Sequence, residues 1–392
     1  MVKDLLPQRT AGRRRSLVLA LVSALCGLAV IYPYVGYPAI LKLARKKRIE
    51  RGKPDAADGA AFSLVFCAYN EASVMPAKLS NLHELKTRYP GLQVLAFDDG
   101  SDDGTPDMIA DGAPYVRLIR GSGRNGKAHG MKLLAAEAAG EFLVFTDANV
   151  ILDPGALDAL AACYSDPSVG GVCGALRYLG AEGSSTATVG GAYWRLEEKI
   201  KDLESATGSV MGADGSIFSI RRALYPDFPD NVLDDFTVSL ECVFQGFRLV
   251  KSNDVVAYEK LVSARSDEFS RKIRIAGRAF TTHRYLRDKR RHMEALDRFK
   301  YFSHKTLRWF NGAFLVGGTS TALLAALTLS PLFAVVLATT TAAMLAMGLR
   351  KSHGSISSVV ETVSAMVATQ IGVIKALFRE TPVTWNPSKS RS

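Results

Sequence analysis

Four carboxylates fall within six consecutive positions of Asp98-Asp99-Gly100-Ser101-Asp102-Asp103, and groups held that close repel one another. A turn and a helix start account for part of the cluster, with Gly100 as the turn residue and Asp102 or Asp103 as an N-cap. Asp98 and Asp99 are left over. One of them fits a carboxylate that accepts hydrogen bonds from the base or ribose of a bound nucleotide. Asp147 and Asn149 stand two positions apart in Thr146-Asp147-Ala148-Asn149. In an extended backbone both can face one ligand, and their oxygens suit Mg2+ or Mn2+, which keeps few protein ligands and bridges substrate phosphates. The same triplet is also an ordinary strand end running into a turn.

Asp234 and Asp235 open Leu233-Asp234-Asp235-Phe236, ahead of the amphipathic pattern Val238, Leu240, Val243 and Phe244. Simple capping explains one carboxylate at a helix start. Two exceed that need, and an acid held against apolar neighbours acquires a raised pKa suited to general-base work. The run Gly121-Ser122-Gly123-Arg124-Asn125-Gly126-Lys127 comes close to a phosphate-cradling P-loop, but Ala128 stands where the Mg2+-holding hydroxyl belongs. The run also follows the third strand of its domain instead of opening it. Both points argue against an ATPase and leave Lys127 as a cation that can meet a donor.

Short apolar runs must position these groups. Ser63 to Ala68, Val94 to Phe97, Val116 to Ile119 and Phe142 to Thr146 read as buried parallel strands, each ending at Asp, Asn or Gly. Longer helical patterns alternate with them, which is an α/β signature. Ligand sites in such sheets lie beyond the carboxyl ends of the strands. Tyr69-Asn70-Glu71, Asp98-Asp99-Gly100 and Asp147-Ala148-Asn149 all fall there.

Hydrophobic residues make up 48% of the 392 positions and charged residues 22%, but the apolar ones concentrate toward the two ends. Leu17 to Leu41 carries no charge and exceeds the roughly 20 residues that cross a bilayer as a helix. It is too long for a cleaved signal peptide, although Arg13, Arg14 and Arg15 precede it. A larger basic cluster follows, with Lys42, Arg45, Lys46, Lys47, Arg48, Arg51 and Lys53, and favours a cytoplasmic location for what comes after. Five scattered cysteines without metal-ligand spacing fit a reducing compartment. A second apolar block from Phe310 to Leu349 is long enough for a helical hairpin. Ile356 to Phe378 is less apolar and reads equally as a span or as an interfacial helix. The expected organisation is a basic tail (1–16), a transmembrane helix (17–41), a basic linker (42–60), a soluble domain (61–264), basic juxtamembrane helices (265–308), a transmembrane hairpin (309–349) and a final membrane-associated segment with its tail (350–392).

From Arg265 to Arg308 basic residues are dense, and the stretch runs straight into the second apolar block. A membrane surface with anionic headgroups is a better partner for it than nucleic acid. Arg271 and Arg274 are the candidates for binding a diphosphate.

Taken in order, Phe66-Cys67-Ala68-Tyr69-Asn70-Glu71, Asp98-Asp99-Gly100-Ser101, Asn125-Gly126-Lys127, Thr146-Asp147-Ala148-Asn149, Gly212-Ala213-Asp214-Gly215-Ser216, Arg221-Arg222 and Asp234-Asp235 resemble the motifs of the family 2 glycosyltransferases, in their membrane-integrated bacterial exopolysaccharide and glycolipid branch. The resemblance implies a GT-A domain with a mixed, mostly parallel sheet, flanked by transmembrane helices. It implies that Asn70, Glu71, Asp98 or Asp99, Lys127, Arg271 and Arg274 contact the donor, that Asp147 and Asn149 hold Mg2+ or Mn2+ on its diphosphate, and that Gly212, Asp214 and Gly215 face the acceptor. Asp235, beside Asp234, would be the base of an inverting transfer from a nucleotide sugar, expected to be a UDP-sugar. The acceptor would be lipid-linked or a growing polysaccharide at the cytoplasmic face of the plasma membrane, with membrane lipids and other polysaccharide-assembly proteins as further partners and no nucleic acid. Ile275 stands where processive synthases carry a Trp, and Lys132 where many relatives place Asn. An inactive scaffold for a polysaccharide synthase, or a metal-dependent nucleotidyltransferase, is the alternative.

Overall fold

A computed structural model describes residues 5–52, 61–179, 185–260, 265–350, 355–379 and 381–384. The chain opens with helix α1 (Leu5–Ile31) and the short α2 (Gly36–Leu43). Strands and helices then alternate through β1 (Phe62–Ala68), α3 (Met75–Arg88), β2 (Gln93–Asp98), α4 (Thr105–Gly112), β3 (Val116–Arg120), α5 (Lys127–Glu137) and β4 (Phe142–Thr146). They are followed by β5 (Ile151–Leu152), α6 (Ala156–Tyr164), β6 (Val169–Leu179), α7 (Ser185–Ala206), β7 (Ile217–Arg221), α8 (Asp234–Phe244) and β8 (Arg248–Lys260). The remainder is helical: α9 (Arg265–Tyr285), α10 (Arg287–Arg291), α11 (Ala295–Tyr301), a π turn (Phe302–Thr306), α12 (Leu307–Trp309), α13 (Asn311–Leu329), α14 (Pro331–Arg350) and α15 (Ser355–Phe378).

The eight strands form one sheet in the order β3-β2-β1-β4-β7-β6-β8-β5. β3, β2, β1 and β4 run parallel, as do β6 and β8, whereas β7 is antiparallel to both β4 and β6 and β5 is antiparallel to β8. The four strands expected from the sequence are the four parallel strands of one half of this sheet. Their side chains alternate between two apolar layers. Phe62, Leu64, Phe66, Val94 and Ala96 pack with α3, α4 and α6, while Val65, Cys67, Leu95 and Phe97 meet α5 and α8 on the other face. Burial on both faces explains why β1, β2 and β4 are apolar runs, whereas β3, expected to be buried, ends the sheet and is only partly covered, with Arg117 and Arg120 exposed.

Among the described residues three helices are long and apolar enough to cross a membrane, at Arg14–Ile31, Asn311–Leu329 and Ser355–Phe378. α1 and α13 lie side by side: Ser23 Oγ donates to the Gly318 carbonyl at 2.9 Å, and a methyl added at Gly318 would come within 3.0 Å of Cys26 Cβ. The apolar run from Leu17 to Leu41 is not one helix. It breaks at 32–35, where Pro33 lies, and Tyr37 and Leu41 beyond the break are buried against Ile200 of α7 instead of facing lipid. α15 buries a stripe of Val360, Ala368, Gly372, Val373 and Ala376, and its Gly372 sits directly on α9. Part of this apolar helix is therefore docked on the helices that follow the sheet.

Candidate active site

Three of the four crowded carboxylates at the end of β2 and beyond it, those of Asp98, Asp99 and Asp103, have donors of their own. Asp98 accepts from the Ser101 hydroxyl at 2.5 Å and from its N–H at 3.2 Å. Asp99, fully buried, accepts from the backbone N–H groups of Asn125 (2.7 Å) and Gly126 (2.9 Å) and from the Arg124 guanidinium at 3.2 Å. Asp103 takes the N–H of Ala72 and both donors of Thr105. Burial pushes the Asp103 carboxyl up, but these hydrogen bonds outweigh it and hold the group below its ordinary value. The effect is to sew three loops together. Asp103 and Ser101 grip the loop after β1, where Asn70 adopts a left-handed φ of 50° and accepts from the Asp102 N–H at 3.0 Å. Asp99 grips the loop after β3. Glu71 donates its N–H to Thr105 Oγ1 at 3.0 Å and is buried.

That stitching delivers Lys127, at the start of α5, to the carboxyl edge of β4. Its ammonium lies 2.6 Å from Asp147 Oδ1 and 3.8 Å from Asp234 Oδ2. Burial opposes the charge, but Asp147, Asp234 and Asp235 together outweigh it and raise the Lys127 pKa, so it is a permanent cation here. Asp235 answers differently. Burial, then the charge of Asp234, pushes its carboxyl up to about 7, against partial relief from Lys127 and from the Phe236 N–H at 2.6 Å. The glycine loop between α7 and β7 closes the same space: a methyl on Gly215 would lie 2.9 Å from Lys127 Nζ and 3.2 Å from Asp235 Oδ2. Gly212, at φ 98°, gives its missing side chain's room to the Phe236 ring. Asp214 is held by the Lys201 ammonium at 2.5 Å.

Asp147, Lys127, Asp234, Asp235 and Gly215 thus meet in one place, although 108 positions separate Lys127 from Asp235 in the chain. Other candidates are engaged in contacts of their own. Asn149 donates its amide to Glu259 Oε1 at 3.0 Å. Arg271, on α9, bonds Glu268 at 3.2 Å; burial lowers its pKa, and Glu268 foremost, with Tyr178 and Glu259, more than restores it. Arg274 is half-buried on the same helix. Asp98 and Asp99 lie at the carboxyl end of β2, but their carboxylates are engaged in the loop contacts described. Lys132 bridges α5 to Asp230 Oδ1 at 2.7 Å and to the Phe228 carbonyl at 2.9 Å, bracing the segment that leads into Asp234. Among the described residues no group of three or more His, Cys, Asp or Glu forms a ready metal cage.

Sequence reasoning missed two lysines. Lys78 is fully buried on α3 and donates to the carbonyls of Asp147 (3.1 Å) and Val150 (2.8 Å); burial pushes its pKa down to about 7. Lys201 holds Asp214 from α7. A signal was present for the first, since Lys78 occupies a core-facing position between Met75, Leu82 and Leu85.

Sheet order, crossover pattern and a site beyond the carboxyl ends of the parallel strands define the GT-A class of nucleotide-diphospho-sugar folds. Residues 63–228 match the family model "Glycosyl transferase family 2". The whole chain is similar to a mannosyltransferase of Pyrobaculum calidifontis solved with GDP-Man and Mn2+, with a TM-score of 0.71, 24% identity, and coverage of 92% of this chain and 99% of that one. A polypeptide N-acetylgalactosaminyltransferase 11 of Xenopus tropicalis is 30% identical over 152 residues, 35% of this chain; the match spans a quarter of that relative's length.

Proposed function

We propose that the protein is an inverting glycosyltransferase that moves a sugar from a nucleotide-sugar donor, with UDP-sugars the first to try, onto a lipid-linked or glycan acceptor at a membrane surface. The observation that carries this is Asp235: a carboxylate with its pKa near 7 at a helix start, beside the cation Lys127 and across from the glycine loop. A base with that pKa is matched to removing a proton from a sugar hydroxyl at neutral pH. The acceptor oxygen forms its bond to the anomeric carbon on the face opposite the bond to the nucleoside diphosphate, which leaves with its electron pair, so configuration inverts. Lys127, the cation beside Asp147, would stabilise the negative charge that grows on that leaving group.

Asp147 and Asn149 carry the oxygen atoms that would hold Mg2+ or Mn2+. When bound, the ion would add Lewis-acid stabilisation of the leaving phosphate. Lys78 fixes the Asp147 and Val150 carbonyls and so sets the course of this loop.

Membranes carrying the full chain, incubated with a panel of UDP- and GDP-sugars, are expected to release nucleoside diphosphate and form a glycosylated product identifiable by mass. Asp235→Asn is expected to lower that turnover by about 10²–10⁴-fold, the usual contribution of a general base. Undiminished turnover in that variant rejects the assignment, and free pyrophosphate as product indicates nucleotidyl transfer instead.

A further inference from the structure

A chain of buried ionic hydrogen bonds lies behind the glycine loop, and none of its members enters the chemistry above. Glu204 of α7 is fully buried; its Oε2 accepts the Met211 N–H at 3.0 Å, and its Oε1 accepts the Tyr37 hydroxyl at 2.5 Å and faces His304 Nδ1 at 2.7 Å. His304 Nε2 in turn faces Glu197 Oε1 at 2.7 Å, and Glu197 Oε2 accepts from Arg308 at 2.5 Å. Burial pushes both glutamates up, yet His304 foremost outweighs it and holds each below its ordinary value. His304 sits in the π turn Phe302–Thr306, a wide turn of a kind frequent at functional sites.

Such a network is a poor way to gain stability, because a well-packed apolar core of the same volume does as well or better. What it supplies that an apolar core does not is an acceptor for one irregular backbone N–H, that of Met211, at the entry to Gly212–Gly215. The same loop is held by Ser239 Oγ, which accepts the Ala213 N–H at 2.9 Å, and by Lys201 on Asp214. Its far end is the glycine that abuts Lys127 and Asp235. The other ends of the network reach the membrane attachments. Tyr37 lies in α2, just past α1, and Arg308 lies in α12, just before α13.

We infer that Glu204 is a positioning residue: through Met211 it sets the glycine loop against Asp235, and through Tyr37 and His304 it ties that setting to both membrane-anchored ends of the domain. The catalytic part of this inference rests on the sugar-transfer reading; the loop-holding part does not.

The test uses the full chain in phospholipid nanodiscs, with Tyr37→Phe and Glu204→Gln. Backbone amide exchange is followed by mass spectrometry in peptides spanning 209–216 and, as a control, in β1–β4, without substrate. Loss of one charged hydrogen bond is expected to speed exchange in 209–216 by about tenfold or more while the strands stay protected. With the nucleotide sugar that the panel identifies, kcat is expected to fall while the donor KM stays within about twofold. Unchanged exchange in 209–216, or an equal rise in the strands, overturns the inference. Should Glu204→Gln fail to fold, Tyr37→Phe, which deletes a single oxygen, decides the question by the same two outcomes. A parent chain that turns over no nucleotide sugar defeats the sugar-transfer reading, and the exchange result still decides whether Glu204 positions the loop.

Discussion

Asp235 is poised because its surroundings disagree about its charge. Burial and Asp234 favour the neutral acid, Lys127 favours the anion, and the balance falls at about 7. A base works only when deprotonated, so turnover at saturating donor is expected to rise with pH through about 7 and to level off above it. Lys127→Met removes the favouring cation, and the acidic limb of that pH–rate profile is expected to move to higher pH, with kcat lowered as well. An unmoved limb in that variant would mean that another group sets the profile. The same imbalance has a cost in stability. A carboxyl raised from 3.8 to about 7 binds protons more readily folded than unfolded, so stability falls as pH rises from about 4 to 7 and is constant beyond. Asp235→Asn is therefore expected to melt at a higher temperature than the parent at pH 8, with the gain shrinking to nothing near pH 4. Scanning fluorimetry at those two pH values checks it.

β1, β2 and β4 and the loops that follow them were legible in the chain because a strand buried on both faces is an unbroken apolar run, whereas β3, at the end of the sheet, is only partly buried and interrupts its apolar residues with the exposed Arg117. Which carboxylate faces solvent and which is consumed by a loop was not legible, since Asp99 finds its donors 26 and 27 positions away at Asn125 and Gly126. The break at 32–35 was hidden for a similar reason: Tyr37 and Leu41 are as apolar as lipid-facing residues, and only α7 reveals that they belong to the domain. α15 is the sharpest case. Its composition suits a bilayer, but Gly372 lets it sit on α9, where an added methyl would come within 2.5 Å of the Ile273 carbonyl and 2.9 Å of Ala276 Cβ. Gly372→Val should thus wedge the two helices apart at a cost of about 1–3 kcal/mol. The measurable outcome is faster amide exchange in both α9 and α15, with the sheet unaffected; protection retained in the two helices would show that the crossing is not tight.

At a membrane, the pairing of α1 with α13 would orient the molecule as a whole. Because these helices run side by side, everything from the break after α1 to the start of α13 emerges on one side of the bundle, and both basic clusters emerge with it. Lys42, Arg45, Lys46, Lys47 and Arg48 follow α1, while Arg284, Arg287, Lys289, Arg290, Arg291 and Arg298 approach α13. Near an anionic leaflet each exposed cation contributes about 1 kcal/mol, and the excess of Lys and Arg on one side orients a span toward the cytoplasm. The chain's own thiols make this orientation measurable. Cys67, Cys163, Cys173 and Cys242 are buried in the domain, and Cys26 is packed in α1 near Gly317 and Gly318, so the parent offers little to an impermeant maleimide. Glu84 is exposed on α3, on the opposite layer of the domain from α5 and Lys127. Glu84→Cys is expected to label strongly in inverted vesicles and weakly in intact cells. Labelling in intact cells alone would place the catalytic domain outside, where no cytoplasmic pool of nucleotide sugar could reach Asp235.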